Sequence, residues 1–233
     1  ELAYTNREIT DLIGSGPGVC FSHSQLNRAL ILNAIFDPSQ KELAPKANLE
    51  LVKKALNGEF IVIPGFNNPE NFTNSLNASE LAMVLNDDFQ EKYNWFKSSL
   101  AWFKETSITS SNFYIIKNLV DLGIPPVVAF KANDVYAHSV MITSITEGDN
   151  YYHLEVIDPN FKHIKKTFRF NKSNNKLITI WYGQVDLKLP FFQVDEVFKK
   201  ALISHNTTFK DLMMSSSKIH KNYSFKLSSL LSK

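Results

Sequence analysis

Apolar positions recur with helical spacing through the first half of the chain and with strand spacing through much of the second. A helix is expected over residues 20–36, where Leu26, Leu30, Ile31 and Ala34 supply a buried face and Asp37-Pro38 closes it. A second amphipathic stretch over 49–56 stops at Asn57-Gly58. Residues 60–63 then read as a short strand ended by Pro64-Gly65, and the asparagine-rich 66–77 as loop. Residues 79–104 have a helical pattern, with a break expected near Asn86-Asp87-Asp88. A further helix over 111–122 ends at Gly123 and Pro125-Pro126.

The period then changes. Residues 127–131, 137–146, 151–157, 165–170 and 177–182 read as strands separated by turn-rich breaks, followed by a helix over 194–203. Helices first and strands afterwards predict an α+β fold instead of alternating βαβ units. No internal repeat is present. The expected division is a main domain over 1–205 and a basic C-terminal extension over 206–233.

Composition narrows the class. The 233 residues suit one domain, and 44% hydrophobic with 12% aromatic content supplies a core and excludes a globally disordered chain. No apolar run reaches the length of a bilayer span. The net charge of +2 conceals an asymmetry: from Lys199 onward seven lysines face one acid, Asp211, so this end carries +6 and the rest −4. That end reads either as a solvated extension or as a docking surface for an acidic partner or an anionic membrane. Three arginines and no aromatic-interleaved basic stripe argue against nucleic-acid binding. The six histidines are scattered without thiol partners, so neither a metal nor another cofactor is expected.

A single cysteine, Cys20, excludes an intramolecular disulfide and suits a reducing cytosol. It lies where a glycine-punctuated segment, Gly14-Ser15-Gly16-Pro17-Gly18-Val19, turns into the first expected helix. Unpaired N–H groups and the macrodipole at a helix start favour a thiolate there, the reactive form of the side chain. Downstream, His138 opens an apolar strand on which Val140 and Ile142 share its face. Asp158 ends the next strand, pointing the same way as Leu154 and Val156, and a carboxylate leaving an apolar face needs a partner such as His138. Thiol, imidazole and orienting carboxylate are the parts of a cysteine nucleophile triad. His23 is a rival base, one helical turn from Cys20, and Asn160 an alternative orienter. Trp181 reads as core.

At these residues the sequence resembles the papain-like cysteine peptidases. Gly-Val-Cys-Phe, Ala-His-Ser-Val and Ile-Asp-Pro-Asn are similar to the Gly-x-Cys helix, Ala-His strand and Asp-Pro-Asn of the bacterial YopT-type effector peptidases, with the bacteriocin-processing peptidases a second match. The resemblance implies a helical lobe led by the nucleophile helix and packed on an antiparallel sheet lobe bearing His138 and Asp158. It also implies a protein or peptide substrate, delivery into a host cell, and Trp181 as a shield over the His–Asp pair, as a tryptophan is in papain. The glutamine that usually precedes the nucleophile and donates to the oxyanion is missing, leaving Asn6 or Ser15, with the Cys20 backbone N–H, as candidate donors. The same triad would serve a deamidase or an acyltransferase, and without the glutamine a catalytically inactive binding protein is the competing reading.

Overall fold

A computed structural model describes residues 1–13, 19–98, 108–131, 137–162, 164, 166–188, 200, 201 and 203. The chain is α+β, with six helices and two small parallel strands preceding a closed antiparallel barrel of six strands among these residues. Helix α1 (Asn6–Ile13) leads to α2 (Cys20–Leu32), β1 (Ala34–Asp37), α3 (Pro45–Leu56), β2 (Ile61–Pro64), α4 (Pro69–Asn74), α5 (Ala78–Ser98) and α6 (Tyr114–Asp121). The barrel then runs through β3 (Val127–Lys131), β4 (Ala137–Glu147), β5 (Tyr151–Ile157), β6 (Lys166–Asn171), β7 (Lys176–Thr179) and β8 (Gly183–Lys188), and β3 pairs with β8 to close it.

Two apolar cores result. One lies among the helices, centred on Ile9, Leu26, Val52, Ile63, Phe72 and Leu81; the other fills the barrel and includes Phe130, Val140, Leu154, Phe168 and Leu187. Helix α2 lies between them and is buried on every side from Cys20 to Leu30. Its polar residues therefore need partners in both directions. Ser22 donates to Asp88 on α5, and Ser24 donates to the Ser139 carbonyl on β4 at 3.3 Å. Helix α2 is thus tied to the strand that carries His138.

The structure departs from the sequence pattern at several places. Helix α2 stops at Leu32, because residues 34–37 pair in parallel register with 61–64, and Ile31 is left half-exposed. Helix α5 runs unbroken through Asn86–Asp88. Low helix propensity costs at most about 0.7 kcal/mol per residue, too little to interrupt a face carrying Leu81, Ala82 and Leu85 in the core. Residues 66–77 contain α4, started by an Asn68 side chain that accepts from the Asn71 N–H, with Pro69 next. The expected strand over 177–182 is two strands joined by a turn at 180–182. Alternating Val185 and Leu187 form the inward face of β8. Helix α1 was not expected, although Thr5 and Glu8 form a reciprocal capping box: the Thr5 N–H donates to Glu8 Oε2 at 2.6 Å, and the Glu8 N–H to Thr5 Oγ1 at 3.2 Å. Of the expected helix over 194–203, residues 200, 201 and 203 are helical; the others, and the extension from Asn206, lie outside the described residues.

Candidate active site

Cys20 is the first residue of α2, and Val19 at the cap position makes no side-chain cap hydrogen bond to the helix start. His138 is the second residue of β4 and stands directly across from Phe130 on β3. Asp158 immediately follows β5, where the strand gives way to a turn. All three are buried: Cys20 is 7% exposed, His138 and Asp158 1% each, so Cys20 is the most accessible member.

The imidazole joins the other two. Its Nε2 lies 2.7 Å from Asp158 Oδ1. Nδ1, the other ring nitrogen, makes no hydrogen bond among the described residues, and Cys20 lies near enough to act on the ring electrostatically. Burial disfavours an imidazolium, but the hydrogen bond to Asp158, then the interaction with Cys20, outweigh it and raise His138 to about 9. At neutral pH His138 therefore holds both protons, and the Nε2 proton is donated to the carboxylate.

Asp158 is held by its own turn. Oδ1 also accepts the Asn160 N–H at 2.9 Å, an Asx turn, and the Asp158 carbonyl accepts the Phe161 N–H at 2.9 Å. The turn-initiator reading and the His-orienting reading of Asp158 thus describe the same geometry. Asn160 does not orient His138: its Nδ2 donates to the Tyr182 hydroxyl at 3.0 Å, and its Oδ1 accepts from Asn6 Nδ2 at 3.1 Å. Asn6 is buried, and its backbone N–H donates to the Pro159 carbonyl at 2.6 Å, so the start of α1 clamps the Asp-Pro-Asn turn. With its side chain turned to Asn160, Asn6 serves as a support for Asp158. Ser15 lies outside the described residues.

His23 is not equipped to act as the base. Its Nε2 donates to the Tyr4 carbonyl at 2.7 Å and its Nδ1 accepts from Asn27 at 3.3 Å, which fixes a neutral tautomer. Burial, the dominant effect, pushes it down to about 4 against the Tyr4 hydrogen bond and the Asp158 charge.

The residues that wall the imidazole were missed in the sequence. Phe130 meets His138 edge-on at 5.5 Å between centroids, and Tyr182 lies tilted over it at 5.3 Å. Trp181 is neither core nor the shield; it is 52% exposed and stacks on Phe161. A signal for Tyr182 existed only in three dimensions, since the β7–β8 turn carries it back over β4. A shallow recess beside Asp158 is lined by His23, Asn27 and Phe161 among others, but Cys20 and His138 are not in its walls.

No family model, no curated protein and no solved structure matches this chain. Among the described residues no helix is long and apolar enough to cross a membrane.

Proposed function

We propose that the chain is a papain-like thiol hydrolase that cleaves a protein or peptide, similar in its three motifs to the YopT-type effector peptidases. The carrying observation is a buried imidazole bonded to Asp158 at Nε2 and close enough to Cys20 to be shifted by it. In this reading the Cys20 sulfur, its proton held on His138, attacks the substrate carbonyl carbon and forms a tetrahedral intermediate. His138 then gives a proton to the leaving amine as the C–N bond breaks, which leaves a thioester on Cys20. A water, deprotonated by His138, attacks the thioester, releasing the acid and regenerating the thiol. Asp158 keeps Nε2–H pointed toward itself and stabilises the imidazolium through both steps.

An amine in place of that water would make the chain an acyltransferase, and a glutamine side chain in place of the peptide a deamidase. A reducing cytosol, including that of a host cell, is the compartment in which a lone thiol of this kind stays usable.

The test is cleavage of a proteome-derived peptide library by the full chain, read by mass spectrometry beside Cys20→Ala. New termini that depend on Cys20 support the proposal. Substrate-like binding without any Cys20-dependent product would overturn it in favour of an inactive binding protein, the reading that the missing glutamine ahead of Cys20 supports.

A further inference from the structure

Lys166 occupies a position where a lysine is out of place. It opens β6, opposite Val156 on β5, and on this strand residues 166, 168 and 170 are buried while 167 and 169 are exposed. Its neighbours on the inward face are Phe168 and Phe170, both in the barrel core, and Lys166 itself is only 8% exposed. Lysine is rarely buried to this degree without a paired charge. The ammonium instead sits beside a pair of rings: Nζ is 4.2 Å from the centroid of Phe161 and 4.5 Å from that of Trp181, which stack at 5.3 Å and 28°.

Ring faces attract a cation but do not neutralise it. An ammonium has three N–H donors, and among the described residues Lys166 makes neither an ion pair nor a hydrogen bond to a carboxylate. Lys162, close by in sequence, lies 3.7 Å from Glu70 and is already matched. Lys166 is therefore a pre-positioned ammonium on a buried stem, with no carboxylate partner among the described residues.

Its clamp is part of the architecture that holds the triad. Phe161 closes the Asp158 turn through its N–H, and Trp181 precedes Tyr182, which covers His138. Trp181 and Ile180 are 52% and 82% exposed, so the clamp has an open apolar flank at the turn between β7 and β8.

We propose that Lys166, Phe161 and Trp181 form a subsite for a glutamate or aspartate side chain of the substrate, flanking the bond that Cys20 attacks. The methylene stem of the acid lies on Trp181 and its carboxylate bonds to Lys166 Nζ, which completes the missing ion pair. The inference rests on the thiol-hydrolase reading of the same site.

The test uses the full chain and tripeptidyl acyloxymethyl ketones, from which a thiolate displaces the acyloxy group as a carboxylate and forms a thioether. Glu is placed in turn at each of the three positions, with the matched Gln compound as its neutral partner, and intact mass gives the rate of labelling at Cys20. At one position Glu should label about tenfold or more faster than Gln, as a charge-assisted hydrogen bond provides. The advantage should shrink with added salt, disappear in Lys166→Met and survive in Lys166→Arg. Trp181→Ala, at an exposed position, should reduce it severalfold and serves if Lys166→Met fails to fold. Equal labelling by Glu and Gln at every position, or a Glu advantage that persists in Lys166→Met, overturns the subsite and leaves the triad untouched. Labelling of Cys20 by no compound faster than in the urea-unfolded chain overturns the thiol-hydrolase reading and the subsite with it.

Discussion

Nε2 of His138 and Oδ1 of Asp158 lie 2.7 Å apart, both nearly sealed from solvent. At that burial the pair holds the imidazole in one orientation and keeps it protonated. Replacing Asp158 by Asn keeps the volume but removes the charge and permits the wrong tautomer. Cys20-dependent turnover should fall by about 10²–10⁴, as loss of the orienting acid does in such triads. Imidazole NMR should show the His138 titration moving down from about 9. Unchanged turnover and titration would remove Asp158 from the mechanism.

The two buried histidines give stability opposite pH dependences. His138 is raised to about 9 in the fold, against about 6.5 unfolded. Its contribution is full below the unfolded value and is lost as pH rises through the folded one. His23 is lowered to about 4, so its contribution is present above about 6.5 and is lost as pH falls toward 4. Urea midpoints should therefore peak near pH 6.5. His23→Gln should flatten the acid limb and His138→Gln the alkaline limb. A wild-type midpoint that climbs steadily through pH 9 would contradict the protonated state of His138.

Asn6 separates two roles. If it supports the Asp158 turn, Asn6→Ala and Asn160→Ala break the same hydrogen bond and their effects on turnover should be strongly non-additive. Each single change should lower stability by about 1–3 kcal/mol, from the loss of a buried hydrogen bond. If Asn6 were the oxyanion donor, Asn6→Ala alone would cost about 10²–10³ in kcat, and the two effects would multiply independently. Turnover and urea unfolding of the two single variants and the double variant decide between them.

Tyr182 should matter through its ring more than its hydroxyl. Tyr182→Phe loses the bond from Asn160 and roughly 1 kcal/mol of stability. Tyr182→Ala also uncovers His138, so it should lower turnover further than Tyr182→Phe. Equal effects of the two changes would assign the role to the hydroxyl.

The candidate triad was legible in the sequence because each member sits at an element boundary with an apolar signature beside it. Cys20 opens a helix, His138 begins an alternating strand, and Asp158 ends one ahead of Pro159. The strands of the barrel were legible for the same reason: alternation over five or more residues is a strong period-two signal. What the sequence concealed is what pairing in space decides. β1 takes Ile35 and Phe36 from the expected helix because β2 lies beside it, and Ser22, His23, Ser24 and Arg28 are buried although they look like a solvated face. Tyr182 and Phe130 reach His138 across strands, and no spacing along the chain records that. The capping box at Thr5–Glu8 and the β8 alternation were readable signals.

The central claim is that His138 activates Cys20, and because Cys20 is the chain's one cysteine its alkylation reports on nothing else. The most direct measurement is the rate of Cys20 modification by iodoacetamide at pH 7 in the native chain, in His138→Ala and in the urea-unfolded chain. The account predicts that the native protein reacts about tenfold or more faster than either of the others, because His138 takes the proton of Cys20 as the sulfur attacks and an unassisted thiol lacks that help. A native rate equal to or below that of His138→Ala would contradict it.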